Sequence, residues 1–153
     1  GFRKLGHELF IHDINMNTTI DVVIDTEMCF ICVPTPSEEN GRCNTQIVQQ
    51  VISDLSNMNY QGVVVIKSTV EPGTTEKMIN QHNNLSLAFV PEFLRERCAL
   101  SDFTDNHDLC AIGCNTEEQF QKEEEVRRYR SCCRWSGDER DEDRKESSMG
   151  RSG

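Results

Sequence analysis

The sequence predicts an α/β domain built on a doubly wound parallel sheet, and three observations predict it. Short apolar runs rich in β-branched residues recur up to about residue 122, helical patterns separate them, and the best of the runs are apolar throughout rather than alternating, as strands covered on both faces are. Leu9 to His12 is the first run and ends at Asp13. Met28 to Val33 is the second, stopped by Pro34-Thr-Pro36 because proline cannot donate to a ladder. Asn44 or Thr45 caps a helix whose Ile47, Val48, Val51, Ile52, Leu55 and Met58 form one stripe at helical spacing. Gly62 to Lys67 is the third strand. Pro72-Gly73 opens a helix running to about His82, proline being tolerated in a first turn whose amides lack partners anyway. Leu85 to Val90 is the fourth strand, Pro91 to Leu100 a helical turn, and Leu109 to Ile112 a fifth strand. Asn115 with Glu118 makes a capping-box-like start to a last helix.

Composition divides the chain near residue 122. Of the 31 residues from Glu123 to Gly153, 17 are charged, against 25 of the 122 before them. The second stretch holds too little apolar surface to order itself, so residues 1–122 are expected to be the folded domain and 123–153 a solvated, disordered tail. The 153 residues and 36% hydrophobic content suit one soluble domain with a true core. No apolar run approaches the ~18–20 residues that a membrane span needs, and the net charge of −10 argues against nucleic acid, whose phosphates call for a basic patch. Residue 1 is Gly with no apolar leader behind it, which reads as a piece of something longer. The eight cysteines form no even framework, so reduced thiols of a cytoplasmic protein are expected.

In an open parallel sheet, ligands lie at the carboxyl ends of the strands, so the loops after the strands carry the functional argument. Asp13, ending the first run, can accept two ribose hydroxyls or simply shape a turn, and no G-x-G-x-x-G exists to decide between them. Ser68-Thr-Val-Glu-Pro-Gly-Thr-Thr75 gathers hydroxyls at a helix start, which suits a phosphate, a bound water or an ordinary cap. Glu92 and Glu96 are one helical turn apart, placed for paired acid/base work or as a solvated pair between Arg95 and Arg97. Cys29-Phe-Ile-Cys32 has metal-ligand spacing, but strand positions three apart point to opposite faces. Cys110 and Cys114, the adjacent Cys132 and Cys133, and His7, His12, His82 and His107 form no ligand set.

Together, Val33-Pro-Thr-Pro-Ser37, Lys67-Ser-Thr-Val-Glu-Pro-Gly-Thr-Thr75 and Pro91-Glu-Phe-Leu-Arg-Glu-Arg-Cys-Ala99 strongly resemble the UDP-glucose/GDP-mannose dehydrogenase family, over residues 3 to about 122. Leu5 to Asp13 is similar to that family's second strand and its ribose-binding aspartate. The resemblance implies a partial Rossmann-like NAD-binding domain whose first strand and glycine loop precede residue 1. It implies NAD as cofactor, a nucleotide sugar as substrate with UDP-glucose foremost, no nucleic acid, no membrane, and a homo-oligomeric full-length enzyme. Such enzymes oxidise a C6 alcohol to a carboxylate in two hydride transfers, through a thiohemiacetal on a cysteine. By position, Thr69 matches the threonine that holds a catalytic water, Glu92 the acid/base glutamate, and Glu96 a second glutamate near the nicotinamide and substrate. Phe93, Leu94 and Arg95, with Glu92, match the segment contacting the sugar nucleotide, while Asp13, Val33, Thr35, Ser68, Thr69 and Glu96 fall at cofactor-binding positions. None of the eight cysteines matches the family nucleophile, so this chain alone is expected to be inactive. The alternative is a non-catalytic nucleotide-binding remnant. The tail from residue 123 departs from the family pattern, and the spacing between Asp13 and Val33 is short for it.

Overall fold

The computed structural model describes residues 2–91, 96–104 and 113, with the side chains of residues 5, 96, 103 and 104 left out of the description. Its centre is a parallel sheet of three short strands, β1 (Met28–Ile31), β2 (Val63–Ile66) and β3 (Ser86–Phe89), in that order. Met28 pairs with Val63 and Val63 with Ser86, so the strands start level and finish level. Each strand is a core of one sequence-predicted run with its ends trimmed to the residues that hydrogen-bond a neighbour.

Two crossover helices join them, α1 (Gln46–Asn57) and α2 (Thr74–Gln81). Because the sheet grows in one direction and parallel crossovers are right-handed, both helices belong on the same face. The packing agrees. Val48, Ile52 and Leu55 of α1 and Met78 of α2 share one cluster with Ile31, Val64, Ile66 and Leu87. Period-two alternation sends Val63, Val65 and Ala88 to the opposite face, with Met28 and Phe30 beside them. Phe2, in a short 3₁₀ turn at Phe2–Leu5, lies on Phe30 with ring centroids 4.7 Å apart. Val64, Val65, Ile66 and Leu87 are fully buried, each contributing about 1.5–3 kcal/mol on burial.

The helix ends refine the sequence expectations. Thr45 holds the N-cap position of α1 without a side-chain cap bond, while Asn44 Oδ1 accepts the Gln46 N–H at 3.0 Å. At its far end Asn59 turns left-handed (φ 53°) and the Tyr60 N–H closes on the Leu55 carbonyl at 3.0 Å, which stops the helix. The second helix starts two residues later than Pro72, with Gly73 as N-cap in a left-handed conformation (φ 86°) that its missing Cβ permits. Of the helical turn expected over 91–100, residues 92–95 lie outside the described residues, and the rest is a 3₁₀ turn at Glu96–Cys98 leading into α3 (Ala99–Thr104).

One expected strand is absent. Residues 9–12 form no strand among the described residues, and Leu9, Phe10 and Ile11 are 37%, 54% and 52% exposed. An apolar run becomes a strand only where a neighbour takes its amides and carbonyls, and among the described residues none does. The expected fifth strand at Leu109 to Ile112, the helix from Asn115 and the tail 123–153 lie outside the described residues. Gly113 exchanges two backbone hydrogen bonds with Phe89, both 2.9 Å, as an isolated antiparallel bridge.

Burial also sets an alkaline limit. Tyr60 is 1% exposed, donates to the Thr26 carbonyl at 2.9 Å, and has its hydroxyl pushed up to about 12, chiefly by burial. Burial likewise raises the Cys29 thiol to about 11, with Cys32 adding to it. Both folded values lie above the ordinary ones, so the protonated groups stabilise the fold fully below about pH 9 and that contribution is lost as pH rises through about 11–12. The thermal midpoint should therefore hold level to about pH 9 and fall beyond it, and Tyr60→Phe should flatten part of that fall.

Candidate functional site

Parallel strands that end level present their exits along one rim. Val33-Pro-Thr-Pro-Ser37 leaves β1 there and Lys67 to Gly73 leaves β2 there. Val90, just past β3, donates its N–H to the Ile66 carbonyl at 3.0 Å, which sets the β3 exit beside them.

Ser68 fastens the first two exits together. Its hydroxyl accepts the Val33 N–H at 2.9 Å and donates to the Val33 carbonyl at 2.7 Å, with the Ile31 carbonyl oxygen at 3.3 Å. The side chain is buried and its bonding capacity is taken up by backbone. At the next position the chain turns outward, and Thr69 is exposed. Cys43 then bridges the two loops a second time, its thiol directed at the Thr69 carbonyl (3.3 Å) and the Thr35 carbonyl (3.5 Å). Thr35 and Thr69, 34 positions apart in the sequence, thus stand at one mouth. Neither hydroxyl has a hydrogen-bond partner among the described residues.

Of the other expected site residues, Asp13 is exposed and accepts from the Asn15 backbone N–H (2.8 Å) and side-chain amide (3.0 Å). The backbone bond, then the side-chain bond, holds its carboxyl below the usual range. Such a turn satisfies Asp13 locally. Glu92, Phe93, Leu94, Arg95 and the side chain of Glu96 lie outside the described residues. Cys29 faces the α1 side of the sheet and Cys32 is exposed beyond the strand end, and no group of three metal-ligating side chains occurs among the described residues. No helix among the described residues is long and apolar enough to cross a membrane.

Three residues escaped the sequence reading: Arg42, Cys43 and Glu71. Glu71 Oε2 accepts from Arg42 Nη2 at 2.9 Å, and Oε1 from the Cys43 N–H at 2.9 Å and Arg42 Nε at 3.4 Å. These bonds, the guanidinium's foremost, hold the Glu71 carboxyl below its ordinary range and raise Arg42. Nothing local in the sequence marks a pairing between residues so far apart.

The rim fits a dinucleotide in the elements it offers. The hydroxyls of Thr35 and Thr69 have no partner among the described residues, and the first turn of α2, capped by Gly73 with open space where a Cβ would stand, presents amides without helical partners. Residues 6–131 match the sequence profile of the UDP-glucose/GDP-mannose dehydrogenase family, NAD binding domain. UDP-glucose 6-dehydrogenase of Rickettsia bellii is 37% identical over 99 residues, 61% of this chain and 23% of that protein. A UDP-glucose dehydrogenase structure from Pyrobaculum islandicum is similar with a TM-score of 0.62 and 30% identity, over 74% of this chain and 28% of its own. GDP-mannose dehydrogenase from Pseudomonas aeruginosa gives 0.58 and 28%, over 71% of this chain and 28% of its own. The chain spans about a quarter of the length of these relatives.

Proposed function

The chain belongs to the UDP-glucose/GDP-mannose dehydrogenase family and carries NAD-binding-domain sequence, and on that premise we propose that it holds NAD⁺ for the oxidation of the C6 alcohol of a nucleotide sugar, UDP-glucose first. The observation that carries the reading is the meeting of Thr35 and Thr69 at one mouth, bridged by Cys43. The relative from Rickettsia bellii, a UDP-glucose 6-dehydrogenase, favours that sugar nucleotide.

Bound NAD⁺ supplies the hydride acceptor. In this reading Val33 and Thr35 border the dinucleotide, Ser68 sets the path of the Val33 backbone, and Asp13 is the ribose partner. Thr69 holds a water at the mouth, Glu92 moves the proton, and Glu96 stands near the nicotinamide. Phe93, Leu94 and Arg95 seat the sugar nucleotide. The same reading makes the whole enzyme a cytoplasmic homo-oligomer and assigns the covalent step to a thiol that is none of the eight in this chain.

Titrating the chain with NAD⁺ should reveal saturable binding, while UDP-glucose and NAD⁺ together should give no steady NADH absorbance. In a whole enzyme carrying this domain, UDP-glucose should outpace GDP-mannose, and Thr69→Ala or Glu92→Gln should lower turnover by about a hundredfold with little change in thermal midpoint. Sustained NADH production by the chain alone would refute its inactivity, and unchanged turnover in the variants would remove those two roles.

A further inference from the structure

The segment after Thr35 folds back on itself. Ser37 and Cys43 form an antiparallel bridge, the Glu38 N–H donates to the Arg42 carbonyl at 2.8 Å, and the Asn44 N–H donates to the Pro36 carbonyl at 2.9 Å. Gly41 makes the reversal in a left-handed conformation (φ 79°), and Asn40 Oδ1 accepts the Arg42 N–H at 2.8 Å. The result is a small hairpin rooted at Thr35, with Arg42 and Cys43 on its returning arm.

That arm meets the loop after β2 at one carboxylate. Glu71 takes all three donors described above, two from the Arg42 guanidinium and one from the Cys43 amide. Charge-assisted and partly bidentate bonds of this kind fix direction as well as distance. Arg42 is 71% exposed and Glu71 32%, so the ion pair adds little to global stability. Its effect is on where the hairpin stands.

We propose that Glu71 is a positioning residue for the dinucleotide: by clamping Arg42 and Cys43 it fixes the spacing between the loops that carry Thr35 and Thr69, and with it the width of the mouth. The proposal rests on the reading that NAD⁺ spans those two loops. Without the carboxylate, Ser68 and the weak thiol bonds of Cys43 still join them, but the hairpin swings away from Thr69.

The test uses the full chain with Glu71→Ala, Glu71→Gln and Arg42→Ala, titrated with NAD⁺, AMP and nicotinamide mononucleotide. Glu71→Ala should weaken NAD⁺ about tenfold and Arg42→Ala about threefold, whereas Glu71→Gln, whose amide oxygen still accepts the Cys43 N–H, should recover most of the loss. The two mononucleotides, each too short to engage both loops, should change by less than about twofold. That contrast separates positioning from general damage to the fold. Unchanged NAD⁺ affinity in both Glu71→Ala and Arg42→Ala overturns the clamp alone, as do equal losses for all three ligands. Failure of the unaltered chain to bind NAD⁺ overturns the clamp together with the functional reading beneath it.

Discussion

Gly62→Ala should destabilise the fold by about 2–4 kcal/mol and lower the thermal midpoint by about 10 °C. A Cβ at this position would fall on the Tyr60 hydroxyl and its ring carbon and on the Glu27 carbonyl oxygen, inside contact distance. None of these can yield cheaply. The Glu27 carbonyl accepts the Val63 N–H at 2.9 Å at the start of the β1–β2 pairing, and the Tyr60 hydroxyl is tied to both the carbonyl and the hydroxyl of Thr26. Either the ring leaves its pocket or the strands part at their entry, and a domain holding roughly 5–15 kcal/mol in total feels either. Thermal unfolding followed by circular dichroism measures the effect. A midpoint within about 2 °C of the unaltered chain would mean that the ring has room to move.

Ser68→Ala should act on stability and ligand binding at once. Its hydroxyl is the partner of the Val33 N–H and hydrogen-bonds the Val33 carbonyl as well, so removing it strands buried backbone groups at a cost of about 1–3 kcal/mol. The Val33-to-Thr35 segment then loses one of its attachments to β2's exit, the one nearest the strand ends, and NAD⁺ affinity should fall at least about tenfold. Urea unfolding and NAD⁺ titration read the two effects separately. A stability loss with unaltered NAD⁺ affinity would leave Ser68 a staple with no consequence for the mouth.

The same two residues show what a sequence can and cannot disclose. The strands were legible because Val63–Ile66 and its neighbours are β-branched or apolar without interruption, a pattern that burial on both faces requires. Helix α1 was legible from the spacing of Val48, Ile52 and Leu55, which all reach the core. Residues 9–12 have similar apolarity, yet strand formation depends on a neighbour that no local pattern encodes. Ser68 reads as a ligand-binding hydroxyl, and only the arrival of Val33 beside it reveals the backbone bonds that occupy it. Gly62 reads as a boundary glycine, and only the ring of Tyr60 makes it obligatory. Glu71 stands inside a recognised block, but its partners lie on a hairpin that tertiary structure alone delivers. For the site as a whole, the Thr35 and Thr69 loops meet as the sequence expected, while Glu92 lies outside the described residues.

The all-parallel connectivity has a kinetic consequence. Among the described residues, no two adjacent strands of the sheet are joined by a tight turn: Met28 finds Val63, and Val63 finds Ser86, only after an entire crossover helix has been threaded between them. Every rung therefore waits on loop closure, so the chain should collapse before it pairs and form its sheet slowly for its size. During that interval the uninterrupted valines of residues 63–65 stand unprotected, and refolding yield becomes a matter of dilution as much as of native stability.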